Sequence, residues 1–140
     1  MEEYHPVVQR ICGLLDQHEC TYKSFEHEAV RTSEEAAALR PEYSLSQGAK
    51  ALIVRIKKRG LAGDAAKQFV QLVVPGDATF DPKKVKAVLN AKDLRFATAE
   101  ESDQLTKGVA FGGVPPFGNL FSIPVYVDET LLEHETIIFN

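Results

Sequence analysis

A lysine at the head of an apolar run and a loop rich in glycine and proline are the two features of this sequence whose residue types could do chemistry. The run reads Ala49-Lys50-Ala51-Leu52-Ile53-Val54-Arg55-Ile56-Lys57-Lys58. Period-two alternation puts Lys50 on one face with Leu52, Val54 and Ile56, and Ala49, Ala51, Ile53 and Arg55 on the other. A lysine on an apolar face needs either an opening to solvent or an anionic partner. Two readings follow: it sits at a strand end and snorkels into water, or it anchors a phosphate or carboxylate at a cavity mouth. The loop reads Gly112-Gly113-Val114-Pro115-Pro116-Phe117-Gly118. Glycines let backbone approach a ligand closely, while consecutive prolines remove two amide donors and stiffen the path. Such a segment is either a rigid surface turn or a fixed array of a few amides suited to a carbonyl or an oxyanion.

Other chemistries are poorly supplied. His5, His18, His27 and His134 are scattered without the spacing of a metal motif, and Cys12 and Cys20 form neither a C-x-x-C knuckle nor a disulfide framework. No metal and no cofactor is expected. Cys12 falls in a helical pattern and reads as core filler. No nucleophile elbow, Walker loop or dinucleotide fingerprint is present.

The elements that must position the two features can be read from periodicity and caps. Val7, Ile11, Leu14 and Leu15 recur at helical spacing from Pro6 to about Glu19. Thr21 to Glu28 alternates as a strand, and Thr32-Ser33-Glu34-Glu35 has the form of a capping box opening a short helix that runs to Leu39. The run from Ala49 to Lys58 is the strongest strand signal, and Gln68 to Val74 is its natural hairpin partner. Asp81-Pro82 opens a helix with Val85, Val88 and Leu89 as its buried stripe and Asn90 as its stop. Leu94 to Ala97 reads as a strand, and Thr98 to Glu101 repeats the capping box, with that helix ending at Gly108. Ile123 to Val127 and Thr136 to Phe139 complete the strands. Strands outnumber helices without regular alternation, so the expected fold is α+β: a mixed, largely antiparallel, barrel-like sheet with flanking helices.

Composition bounds the rest. With 140 residues, 44% apolar and 26% charged, residues 1–140 are expected to form a single domain. No apolar stretch approaches the ~20 residues of a membrane helix, so no membrane partner is expected. The start, Met1-Glu2-Glu3-Tyr4, lacks the basic region of a signal peptide, which predicts a cytoplasmic protein. Charge is uneven: residues 50–95 hold 11 basic against 4 acidic side chains, whereas 96–140 hold 1 against 7. The basic middle is either a local footprint for a polyanion or a set of lysines solvating strand ends and a helix face.

In this order and separation, the Thr32–Leu39 segment, Gly48-Ala49-Lys50-Ala51-Leu52 and the Gly112–Gly118 loop resemble the YbaK family, the domain also found as the editing insertion of bacterial prolyl-tRNA synthetase. Pro124-Val125-Tyr126-Val127-Asp128 and Ile137-Ile138-Phe139-Asn140 extend the likeness, which runs from about Thr21 to Asn140. The resemblance implies hydrolysis, acting in trans, of the ester joining a wrong small amino acid to tRNA, typically tRNA for proline. It implies that Lys50 is the family's functional lysine and Gly112 to Pro116 its substrate-positioning backbone. Lys50 and Gly113 are then the catalytic candidates, and Thr32, Gly112, Val114, Pro115, Pro116, Phe117 and Gly118 the substrate-binding ones. The partners implied are the acceptor end of an aminoacylated tRNA and, further, prolyl-tRNA synthetase, with Lys57, Lys58 and Arg59 as candidates for guiding the acceptor stem. Without an evident general base, catalysis must rest on position and charge. Lys50 is expected to hold the 3′-terminal nucleotide or orient the aminoacyl end, with amides of Gly112, Gly113 and Val114 around the carbonyl and a ribose hydroxyl activating water. Lys50 and the loop should then face one cavity. The competing readings are a non-catalytic tRNA-binding or synthetase-associated module of the same fold, and a hydrolase of small esters.

Overall fold

A computed structural model of the chain describes residues 6–22, 45–78, 81–109 and 113–139. The strand expected over 21–28 and the helix expected from Thr32 to Leu39 lie outside these residues, except for Thr21 and Tyr22, which carry no strand. Helix α1 spans Pro6–Gln17, strand β1 Ala49–Lys58 and strand β2 Lys67–Pro75. Helix α2 spans Pro82–Leu89, strand β3 Ala91–Phe96, helix α3 Ala99–Thr106 and strand β4 Val125–Val127. None of these helices is long and apolar enough to cross a membrane.

The alternation of β1 and β2 drives their pairing, because matched apolar positions then share a face. They form an antiparallel hairpin in which Lys50 opposes Val74, Ile53 opposes Gln71 and Lys57 opposes Lys67. Its connection turns on Gly60 and Gly63, both at positive φ. β3 adds antiparallel to the far half of β1, from Val54 to Lys58, and β4 adds parallel to β2 over three residues. The order is β3-β1-β2-β4.

Among the described residues the sheet is therefore mixed and largely antiparallel as expected, but open, not barrel-like. Closure needs the two edge strands to meet, and four strands of this length cannot curl that far. The segment expected as a last strand, 136–139, makes a single parallel bridge between Ile138 and Gly48. β4 starts at Val125, two residues later than expected: Pro124 has no N–H and contributes only its carbonyl, to the Gln71 amide at 2.8 Å.

Each face of the sheet has its own core. Val54, Ile56, Val70 and Leu72 meet Leu89 of α2 and Ala91 on one face. On the other, Ile53 packs with Val7 of α1, Val109, Val114 and Ile123, and Ala49 and Val73 pack with Leu131. The first is called here the α2 face and the second the loop face.

The caps expected at Asp81, Asn90 and Thr98 formed where the sequence placed them. Asp81 accepts from the Lys83 amide at 2.9 Å, and Asn90 closes α2 in the left-handed conformation, feeding the chain straight into β3. That left-handed step is why β3 begins three residues earlier than its apolar stretch suggests. Thr98 and Glu101 form a complete capping box. Arg95 grips the same Glu101 with two hydrogen bonds, at 2.7 and 3.0 Å. These bonds first, and the Thr98 amide next, hold the Glu101 carboxyl down at about 2. A depressed carboxyl stabilises the fold above its ordinary pKa of 4.5 and loses that contribution as pH falls toward 2. Glu101→Gln is accordingly expected to lower Tm at neutral pH, with the difference from wild type closing between pH 4.5 and 2 in a series of thermal melts.

Candidate active site

The loop that the sequence singled out is held from below by a residue that it did not. Gln71 sits in the middle of β2 with no exposure to solvent. Its Nε2 donates to the Pro115 carbonyl at 2.9 Å and its Oε1 accepts from the Gly118 amide at 2.8 Å. One primary amide thus ties both ends of the Pro115–Gly118 turn to the floor of the sheet, using a donor and an acceptor in the one orientation that satisfies both. A polar residue inside Phe69-Val70-Gln71-Leu72-Val73 was the available signal, since a buried polar side chain must have partners.

Val114, Pro115 and Pro116 are buried and Gly113 is half-buried, while Gly112 and Thr32 lie outside the described residues. The prolines donate nothing and the Gly118 amide is committed to Gln71, so Gly113, Val114 and Phe117 carry the loop's candidate donors. Gly118 is required for close approach: a β-carbon there would lie 3.0 Å from Val125 Cγ2, 3.1 Å from the Ile123 carbonyl oxygen and 3.2 Å from Gln71 Cβ. The carbonyl is backbone and cannot step aside cheaply. Gly118→Ala is expected to cost ~1–3 kcal/mol by overpacking, read as a lower midpoint in urea unfolding.

Beyond the turn, Phe117 stacks edge-to-face on Phe139, ring centres 5.1 Å apart. A hollow of about 340 Å³ opens beside it, walled by Val73, Pro116, Phe117, Leu131 and Ile137, with His134 and Glu135 also on its wall. That volume is near the lower end of ligand pockets, which suits a small group held mainly by apolar contact. Among the described residues no three His, Cys, Asp or Glu side chains gather as a metal set.

Lys50 stands at the same end of the sheet, but on its other face. Alternation directs it with Val74 toward the α2 face, while Val73 and Gln71 point to the loop. Its half-buried side chain sends Nζ to the Ala78 carbonyl at 3.0 Å. No carboxylate of the described residues pairs with it. The described hollow does not include Lys50. Lysine and loop are thus neighbours around the sheet's end rather than opposite walls of that hollow, because side chains one position apart in β2 leave opposite faces. The acceptor-stem candidates also separate. Lys58 donates to the Leu89 carbonyl at 2.6 Å, closing the end of α2, and Arg59 is exposed beside Asn90. Lys57 shares the loop face with Lys67 and Asp93.

Comparison with known proteins gives consistent likenesses of three kinds. The family model described as an aminoacyl-tRNA editing domain matches residues 27–140. A multifunctional Ser/Thr-tRNA deacylase, ProXp-y, of Escherichia coli (strain K12) is 31% identical over 133 residues, covering 94% of this chain and 75% of the relative. A proline–tRNA ligase of Sulfurihydrogenibium sp. (strain YO3AOP1) is 35% identical over 72 residues, 51% of this chain and 12% of that enzyme. Among solved structures, a candidate trans-editing enzyme for prolyl-tRNA synthetase superposes with a TM-score of 0.69 at 31% identity, covering 94% of this chain and 78% of the other. A hypothetical protein superposes with a TM-score of 0.73 at 27% identity, over 94% and 81% of the two chains.

Proposed function

The chain belongs to the aminoacyl-tRNA editing domain family, and from that premise we propose that it is a trans-acting aminoacyl-tRNA deacylase that releases a small wrong amino acid from tRNA, with tRNA for proline as its substrate. The observation that carries this reading is the match along 94% of the chain to a Ser/Thr-tRNA deacylase. The likeness to a candidate trans-editing enzyme for prolyl-tRNA synthetase supports action in trans and supports that synthetase as a partner. The cytoplasm, where tRNA is charged, is the location this reading calls for.

The residues divide the work by chemistry. An aminoacyl ester is already activated, so position and charge are the main demands. Lys50, whose amine has no carboxylate partner among the described residues, is suited to a phosphate of the 3′-terminal nucleotide. The amides of Gly113 and Val114, which lead into the turn fixed by Gln71, are suited to the ester carbonyl oxygen and to the charge that develops on it. Water adds to the carbonyl carbon and passes its proton to the neighbouring ribose hydroxyl of the substrate, which hands its own proton to the departing ribose oxygen as the ester bond breaks, so that the free amino acid and tRNA leave. An acceptor end that passes around the end of the sheet at Val73 and Val74 would meet both groups, one on each face. A small apolar hollow excludes large side chains but separates similar small ones weakly, since one methylene is worth only ~1–3 kcal/mol.

The test is a panel of tRNA for proline carrying Ala, Cys, Ser or Thr, incubated with the protein and with buffer. Faster release of at least one small amino acid than in buffer is expected, with Ser and Thr foremost. Release at the buffer rate throughout, with tRNA still bound, would leave the non-catalytic module as the correct reading. Preference for free esters, insensitive to salt, would make it a small-ester hydrolase.

A further inference from the structure

The two faces of the sheet carry opposite charge. α2 starts four residues after Ala78, whose carbonyl takes the Lys50 amine, and ends at Leu89, whose carbonyl takes the Lys58 amine. Val85 and Leu89 of α2 turn inward to the core, whereas Val88, expected in the same buried stripe, is exposed, as are Lys83 and Lys84, with Lys86 half-exposed on its outer surface. No acid lies within α2, and Asp81 before it is taken up by capping the Lys83 amide. Arg59 extends the row past the end of the helix. From Lys50 to Lys58 the strand beneath covers ~27 Å, enough to face several successive phosphates.

The loop face is the reverse. α3, which packs Leu105 into that core, carries Glu100, Glu101 and Asp103. The turn at 129–133, anchored there by Leu131, carries Glu129 and Glu133, with Glu135 on the wall of the hollow. Its cations are largely spoken for: Arg55 pairs with Asp93, Lys67 with Asp64 and Arg95 with Glu101.

We propose that the outer surface of α2, with Lys83 and Lys84 at its centre, is the docking surface for the tRNA acceptor stem. This rests on the deacylase reading and names the face from which the substrate approaches. Phosphates are drawn to the α2 side and repelled from the acidic one, so the stem lies along α2. Lys50 then stands at the end of the row, where the stem gives way to the single-stranded terminus. The α2 lysines contact phosphate rather than bases, so they supply affinity and orientation without sequence preference.

Two double variants with equal loss of charge separate this surface from the rest of the molecule: Lys83→Gln with Lys84→Gln on α2, and Lys67→Gln with Lys107→Gln on the loop side. With mischarged tRNA at about 0.1 M salt, the α2 pair is expected to raise KM roughly tenfold with kcat unchanged, and to flatten the salt dependence of binding by close to two phosphate contacts. The loop-side pair should stay within about twofold of wild type, since surface charges set farther than a screening length from the bound stem contribute little to its binding. Equal effects of the two pairs, or a fall in kcat without a rise in KM for the α2 pair, would overturn the docking surface while leaving deacylation standing. Should wild type release no amino acid at all, the deacylase reading fails. Fluorescence anisotropy with uncharged tRNA then decides the surface alone: weaker binding by the α2 pair only upholds it, and equal binding by both pairs refutes it.

Discussion

Lys50→Ala is expected to lower kcat/KM for mischarged tRNA about a hundredfold or more while leaving the fold in place. The amine gives one of its three donors to the neutral carbonyl of Ala78 and has no carboxylate partner among the described residues, so its charge is available to an anion. The loss to the fold is one hydrogen bond to a half-buried group, net ~0.5–1.5 kcal/mol. Single-turnover deacylation beside a thermal melt reads both quantities on one preparation. Lys50→Arg keeps the charge but replaces a compact ammonium by a planar fork, so partial activity is expected from it. A wild-type rate in Lys50→Ala would remove the lysine from the mechanism.

The second large effect is expected at Gln71, where stability and activity should fall together. Gln71→Leu is close in shape but can neither donate nor accept. It strands the Pro115 carbonyl and the Gly118 amide in a buried place. Two unsatisfied groups cost roughly 2–4 kcal/mol together, or about 10 °C in Tm for a chain of this size. The freed turn no longer presents Gly113 and Val114 at a set position, so kcat should drop while KM for tRNA, set on the α2 side, stays near wild type. That split distinguishes a positioning residue from a merely structural one, because partial unfolding alone would scale the active fraction and be recovered on cooling. Unchanged kcat at a temperature where the variant is folded would show that the turn needs no brace.

Much of the fold was legible because its signals are local. β1 matches its expected span at both ends, since ten residues of period-two alternation have one good solution on a sheet. The Asp81 cap, the Asn90 stop and the Thr98–Glu101 box involve residues within three or four positions of one another. Local chemistry also picked out the Pro115–Gly118 turn, because consecutive prolines beside glycines exclude helix and strand alike. What the sequence did not reveal is that Gln71 lies beneath that turn, 44 positions before Pro115 and 47 before Gly118. The edges of the sheet were misread for the same reason. Whether 136–139 forms a strand, and whether the sheet closes, depends on what lies alongside, and no window of neighbouring residues contains that.

By itself, then, the amino-acid order determined most of the described helices and strands, the caps at Asp81, Asn90 and Thr98, the uneven charge and the two features with chemistry, all of which follow from torsional preference and spacing along the chain. Tertiary structure alone decided which residues meet: that pairing Ile53 with Gln71 turns the glutamine toward the loop, that the pair of Lys50 with Val74, three register positions away, points the other way, and that α2 spreads its lysines over one face. The reason is geometric. A side chain leaves a strand on alternate faces, so a change of one position in register exchanges the two sides of the sheet. That register is settled by contacts between segments far apart in the chain.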